Sequence, residues 1–397
     1  MEFEQIKSLT DDYIMTTYGR LPVAFDHGKG VHLWDTTGKQ YLDLLAGIAV
    51  CNLGHSHPRI TLAICEQASK LIHTSNLYHI GNQARLAKLL CDNSCFDKAF
   101  FCNSGAEANE AAIKLARKWA KVQGHPEKFE VVTALNSFHG RTLVTITATG
   151  QEKYQKWFTP LPAGFRYVPL NDLAALEAAV TDATCAIMLE PIQGESGVRP
   201  ASATYLAAAR RLADERGALL IFDEVQTGNG RTGKLWGYEL SGIEPDVATL
   251  AKGLANGLPI GACLAKDSVC VFEPGDHAST FGGNPLVCAA ALAVWEEFIY
   301  GEVLQNCQRT GAYFKQQLEL LAEQTGLVEE VRGWGLMLGC EFKREIAGEV
   351  NAKLLEYGIL ANAIANKTLR FVPPLILQQE HVDQAVEALR EILTEYV

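Results

Sequence analysis

A chain of 397 residues, 48% of them hydrophobic and 20% charged, has ordinary globular composition and is long enough for two domains or one large α/β unit. Its formal net charge of −11 excludes general binding to nucleic acid, whose phosphates require a basic surface. The 11 cysteines are scattered and odd in number, which fits reduced thiols in a cytoplasmic protein better than a secreted disulfide framework.

The first residues, MEFEQIKSLTDDY, have no basic start followed by an apolar stretch and do not read as a signal peptide. No uninterrupted apolar run approaches the ~18 residues that span a bilayer, so no membrane association is expected. Residues 1–50 read as a short helix and then small strands, broken by a turn around Asp35–Gly38. From about residue 60 to 295, short apolar runs alternate with helical patterns. The runs are AFFC (99–102), EVVTA (130–134), CAIML (185–189), ALLIF (218–222) and DVATL (246–250). Short strands buried on both sides and separated by helices predict an α/β fold with a mostly parallel sheet. Ligands of such sheets sit beyond the carboxyl ends of the strands.

After about residue 300 the pattern changes: a long helical stretch leads to VEEVRGWGLMLGCEF, and RFVPPLIL follows later. The last segment places Val382, Ala385, Val386, Leu389, Ile392 and Leu393 on one helical face. The expected organisation is an N-terminal segment, 1–55, joining a small C-terminal α+β domain, 296–397, with a large domain, 56–295, between them. There is no internal repeat and no Pro/Ser-rich linker to mark the boundaries.

Two residues at strand ends carry the chemistry. Lys252 follows the apolar DVATLA, and a lysine in partly apolar surroundings can lose its proton and act as a nucleophile. Asp223 directly follows ALLIF, so its carboxylate stands over the sheet's C-terminal edge. Each alone reads as a solvated lysine or a helix cap. Together they form the protein half of pyridoxal-phosphate chemistry, an imine-forming amine and an acid that keeps a pyridine nitrogen protonated. FCNSGAEAN (101–109) enters a strong helix-forming segment and offers an anion site of backbone N–H groups. In NSFHGRT (136–142), Phe138 can stack on a flat heterocycle and Arg141 can clamp a carboxylate.

Three other patterns are weaker. GNGRTG (228–233) has the spacing of a dinucleotide loop, but aromatics and glycine follow where a helix should begin. Leu235 also stands where a P-loop needs a hydroxyl. His55 and His57 in LGHSHP lack a carboxylate cluster and read as turn and packing residues. Cys91 and Cys95 lack a second cysteine pair, so no metal is expected.

The order LGHSHP, NSGAEANEAAIKLAR, FHGRT, EPIQGESGV, FDEVQTGNGRTG, AKGLANGLPIGA and STFGGNPL resembles the class III, ornithine-type aminotransferases over almost the full length. The resemblance implies fold type I of the pyridoxal-phosphate enzymes: a large domain plus a smaller α+β domain, working as a homodimer with shared active sites. It implies that Lys252 carries pyridoxal 5′-phosphate as an imine and that Asp223 pairs with the pyridine nitrogen. Gln226 would contact the phenolic oxygen and Phe138 would stack on the ring, with Glu224 and Val225 among the cofactor contacts. Gly105 and Ala106 would donate N–H groups to the phosphate, and Thr280 would reach the phosphate of the neighbouring subunit, with Ser279 beside it near the substrate.

The implied reaction moves the terminal amine of N2-acetylornithine to 2-oxoglutarate. Succinylornithine, succinyl-diaminopimelate, ornithine and 4-aminobutyrate are the alternative donors. Arg141 would hold the donor's α-carboxylate, Arg370 that of the keto acid, and Glu195 would neutralise Arg370 while the terminal amine reacts. Two positions depart from the common pattern. Ala106 replaces a frequent threonine, and Asn256 a frequent glycine.

Overall fold

The computed structural model describes residues 1–396; Val397, the end of the expected third segment, lies outside them. Seven strands form the central sheet: β1 (Lys98–Cys102), β2 (Glu130–Ala134), β3 (Phe165–Val168), β4 (Thr184–Leu189), β5 (Leu219–Asp223), β6 (Val247–Leu250) and β7 (Gly261–Ala265). Their order is β1-β7-β6-β5-β4-β2-β3. All neighbouring pairs are parallel except those made by β7, which is antiparallel to β6 and β1.

Alternation along the strands divides the side chains between two cores. Leu219, Ile221 and Met188 pack with helix α1 (Gly105–Val122) on one face. Leu220, Phe222 and Leu189 pack on the other with α2 (Ala203–Arg216) and α3 (Pro285–Tyr300). Burial on both faces explains why these strands read as continuous apolar runs.

The C-terminal region holds a second sheet of β8 (Val328–Trp334), β9 (Met337–Phe342), β10 (Asn362–Ile364) and β11 (Thr368–Phe371), in the order β8-β9-β11-β10. Helix α4 (Val303–Thr325) packs on it, α5 (Gln379–Thr394) packs against α4, and the six expected apolar residues of α5 are all buried. Near the N-terminus, strands Phe25–Lys29, His32–Asp35 and Gln40–Asp43 form a small sheet whose fourth strand is Ile359–Leu360. His55 bonds Asp43 across 2.7 Å and Gly30 bonds the His55 backbone, so this histidine fastens chain segments.

The glycine-rich loop 228–233 surrounds a buried arginine. Arg231 Nη1 donates to the carbonyls of Leu336 (2.9 Å) and Pro373 (2.5 Å), and Nη2 donates to Asn52 Oδ1 (2.5 Å). One guanidinium thereby ties the N-terminal segment, the β8–β9 turn and the segment after β11. Gly230 and Gly233 take φ of +81° and +84° beside it, the left-handed backbone that glycine adopts without strain. Replacing Arg231 by leucine leaves these acceptors buried and unpaired. Unfolding by denaturant should show a loss of about 3 kcal/mol or more; an unchanged midpoint would contradict this role.

Candidate active site

The carboxylate of Asp223 is 4% exposed at the carboxyl end of β5. A charge so placed is stable only when its lone pairs are used. Asn109 Nδ2, from the first turns of α1, donates to Asp223 Oδ2 at 2.8 Å, and His139 Nδ1 contacts the same oxygen at 2.8 Å. The Val225 N–H donates to Oδ1 at 3.0 Å. Asn109 also donates to the His139 carbonyl (2.8 Å) and accepts from the Thr249 hydroxyl (2.7 Å). Burial opposes the charged form of His139, but contact with Asp223 outweighs it and raises its pKa.

Lys252 stands two residues past β6, the parallel neighbour of β5. Its φ of +42° is a left-handed conformation, strained for a residue with a side chain. Burial of the amine pushes its pKa down to about 8, with Arg370 adding to the effect and Glu195 and Asp223 opposing it. At neutral pH a neutral amine is therefore far more accessible here than on an ordinary lysine.

Both residues line a cavity of about 400 Å³, together with Gly105, Ala106, Phe138, Arg141, Glu195, Val225 and Gln226. Its anion end is the start of α1. Ser104 caps that helix by accepting from the Glu107 N–H, which leaves the N–H groups of Gly105 and Ala106 without intrahelical acceptors. A Cβ on Gly105 would stand 2.8 Å from Val225 Cγ1, so only glycine permits this approach. At the mouth, the Arg141 guanidinium lies 3.9 Å from the centre of the Tyr154 ring and 5.4 Å from that of Phe138.

Opposite, Arg370 is 1% exposed and donates through Nη1 to Glu195 Oε1 at 2.6 Å and to the Gly194 carbonyl at 3.1 Å. Its Nε donates to Asn362 Oδ1 at 2.9 Å. Gln226 Nε2 donates to Glu195 at 3.4 Å. Burial pushes the Glu195 carboxyl upward, yet Arg370 and Lys252 hold its pKa below the ordinary value. Glu195 therefore stays ionised through neutral pH.

Not every expected residue lines the cavity, and Arg370 meets it through Glu195, which does. Glu224 turns away: its carboxylate accepts from Thr227 Oγ1 (2.6 Å), Gly237 N (2.8 Å) and Tyr238 N (2.7 Å). Its own N–H and C=O are bonded to Thr249 and Gly228, so no polar group of Glu224 is free for a cofactor. Ser279 and Thr280 line a neighbouring groove, where Thr280 is exposed. Ser279 Oγ accepts from Asn103 Nδ2 at 3.2 Å, and Asn103 lines both spaces.

The structure adds Asn109, His139, Tyr154 and Glu190, to which the sequence reading assigned no role. Glu190 accepts from the N–H groups of Phe138 (2.7 Å) and Gly194 (3.2 Å), and burial pushes its carboxyl up to about 7. Asn109 had a visible signal as a polar residue on the buried, alanine-rich face of α1. His139 had none. Asn256 takes φ +51° and bonds the Leu53 N–H and Gly54 carbonyl, so asparagine serves here in a backbone conformation that usually selects glycine.

The set fits pyridoxal phosphate. It comprises an amine of lowered pKa, a buried carboxylate on the same floor, backbone donors at a helix N-terminus, and an aromatic wall at Phe138. In cofactor-free protein, Lys252 should acylate with a pH midpoint near 8, being protonated and unreactive below it. Labelling across pH with peptide mass analysis reads this midpoint, and one at the ordinary 10.5 would contradict the assignment.

Known proteins are similar to this chain in sequence and fold. Residues 13–393 match the model of the family described as aminotransferase class-III. The acetylornithine aminotransferase of Caldanaerobacter subterraneus subsp. tengcongensis is 54% identical over 383 residues, 96% of this chain and 98% of that protein. Among solved structures, the ornithine aminotransferase of Toxoplasma gondii superposes with a TM-score of 0.95 at 32% identity, covering 100% of this chain and 96% of that one. The acetylornithine aminotransferase of Elizabethkingia anophelis gives 0.88 at 34% identity, with full coverage of both. The chain belongs to the class-III aminotransferases.

Proposed function

We propose that this enzyme transfers the terminal amino group of N2-acetylornithine to 2-oxoglutarate with pyridoxal 5′-phosphate as cofactor, giving N-acetylglutamate 5-semialdehyde and glutamate. The observation that carries the reading is Glu195, which lines the cavity and covers the buried Arg370, while the arginine that lines the cavity, Arg141, lies against aromatic rings. Relatives of about 50% identity bearing the name acetylornithine aminotransferase support the donor and a place in arginine biosynthesis.

When bound, the cofactor supplies a carbonyl that captures amines and a ring that withdraws electrons from the adjoining carbon. Lys252 would hold the cofactor and, once a substrate amine frees its Nζ, would carry the proton between the two carbons. Asp223, fixed by His139 and Asn109, would keep the ring nitrogen protonated. Gly105 and Ala106 would offer N–H groups to the phosphate, with Gln226 toward the phenolic oxygen and Phe138 beside the ring.

Arg141 binds the α-carboxylate of the donor, which directs its far end toward Lys252. Arg370 cannot be left unpaired, because an uncompensated buried charge costs about 3–5 kcal/mol. Glu195 satisfies it while the terminal amine reacts, and the carboxylate of glutamate or 2-oxoglutarate displaces Glu195 in the second half-reaction.

The active sites are shared in a homodimer. In support, Leu77 (86% exposed), Tyr78 and Phe281 form an exposed apolar area around Thr280, joined by Asn76 donating to the carbonyls of Ser279 and Gly282. Thr280 then reaches the partner's phosphate, with Ser279 near the substrate. The 11 unpaired cysteines support a cytoplasmic setting.

Adding N2-acetylornithine without keto acid should bleach the yellow of bound cofactor and release one equivalent of semialdehyde. Persistent colour with N2-acetylornithine, but bleaching with succinylornithine or 4-aminobutyrate, would replace the donor. Glu195→Ala should shift preference toward α-amino donors such as glutamate, measured as the ratio of half-reaction rates. An unchanged ratio would remove the gating role.

A further inference from the structure

Glu195 sits on a loop that a second arginine grips from behind. In the C-terminal sheet, Arg332 on β8 pairs with Gly339 on β9, and Gly339 pairs with Arg370 on β11. Residues directly opposite in antiparallel strands share a face, so both arginines leave the same face with a glycine between them. Loop 194–198 crosses this row. Arg370 Nη1 holds its leading end through Gly194 and Glu195. Arg332 Nε donates to both Gly197 O and Val198 O, each at 2.9 Å. Between them, a Cβ on Gly339 would lie 2.9 Å from Gly197 O and 3.1 Å from Val198 Cβ, so the loop rests on that glycine.

The backbone at the trailing end is strained. Gly197 has φ +100° and Val198 φ +57°. A left-handed β-branched residue costs about 1–3 kcal/mol and persists only where its surroundings impose it. Arg332 is suited to impose it. It is 6% exposed and is itself fixed by Glu341 (2.5 Å), Glu330 (2.8 Å) and the Thr368 hydroxyl (3.4 Å). Arg199 (3.2 Å) and Lys367 (3.3 Å) pair with the same Glu341. Arg370 must exchange partners during turnover, whereas Arg332 is held by two carboxylates, one of them shared with Arg199 and Lys367.

We propose that Arg332 is a positioning residue for the Glu195 gate: it anchors the trailing end of loop 194–198 so that Glu195 returns to Arg370 after each keto acid leaves. The proposal rests on the gating role given to Glu195 above. Without the anchor, the loop relaxes from its strained form, Glu195 loses its register with Arg370, and Arg370 is left open to dicarboxylates.

The test uses holoenzyme and glutarate, a non-reacting dicarboxylate, titrated by calorimetry into wild type, Glu195→Ala, Arg332→Gln and Gly339→Ala. Gly339→Ala displaces the loop without removing a charge and serves alone if Arg332→Gln does not fold. Glutarate should bind about threefold to tenfold more tightly to all three variants, because a larger fraction has Arg370 unoccupied. The half-reaction rate with N2-acetylornithine should fall relative to that with glutamate. A merely structural Arg332 would lower both half-reactions in parallel with no gain in glutarate affinity, and that result overturns the proposal while leaving the gate intact. If Glu195→Ala itself fails to tighten glutarate, the gate reading falls and the role of Arg332 with it.

Discussion

A carboxylate withdrawn from water at the end of a central strand is the constraint around which the site is organised. Asp223 has so little contact with solvent that its charge must be stabilised by protein groups. Those groups come from three separate pieces of chain: Asn109 from α1, His139 from the loop after β2, and the Val225 N–H from the turn after β5. Satisfying one charge thus fixes the position of α1 relative to the sheet, and with it the N–H groups of Gly105 and Ala106. The same loop after β2 carries Phe138 and Arg141. One buried acid therefore registers the anion end, the aromatic wall and the cavity mouth.

The second organising charge, Arg370, is as buried as the first but has a different kind of partner. Asp223 is held by groups that have nowhere else to go, whereas Glu195 lies on a loop and is more exposed than the arginine it meets. Permanent pairing suits a residue that sets the character of a bound ring. Exchangeable pairing suits one that must admit two substrates of different shape. Between them, Lys252 gains from both, since burial lowers its pKa while the acids on either side limit the fall. A second arginine on the same cross-strand row, Arg332, grips the loop of Glu195 and would give that exchange a fixed point from which to return.

Much of this was legible in the sequence because burial leaves a pattern. The five apolar runs are strands of the central sheet, and Asp223 and Lys252 stand out as polar residues ending or following such runs. Strands β3 and β7 are not among those runs: FRYV is an edge strand with an exposed arginine and tyrosine, and GACLA has no β-branched or aromatic side chain to mark it. The resemblance implies Glu224 as a cofactor contact, but successive side chains near a strand end point to opposite sides, which sends its carboxylate to Gly237 and Tyr238. The GNGRTG spacing mimics a phosphate loop, yet its arginine is a buried tie between chain segments. Arg332 could not have been read in advance, because its role depends on register across three strands and on a loop more than 130 residues away.

The proposed chemistry turns on the charge of Asp223 and not merely on the shape of its side chain. The most direct measurement is the single-turnover half-reaction rate of Asp223→Asn holoenzyme with N2-acetylornithine, at saturating cofactor and donor. Asparagine keeps the size and a hydrogen-bonding oxygen but removes the charge. The Asp223→Asn protein should still bind cofactor and donor while its half-reaction rate collapses. A rate equal to wild type would contradict this role of the charge.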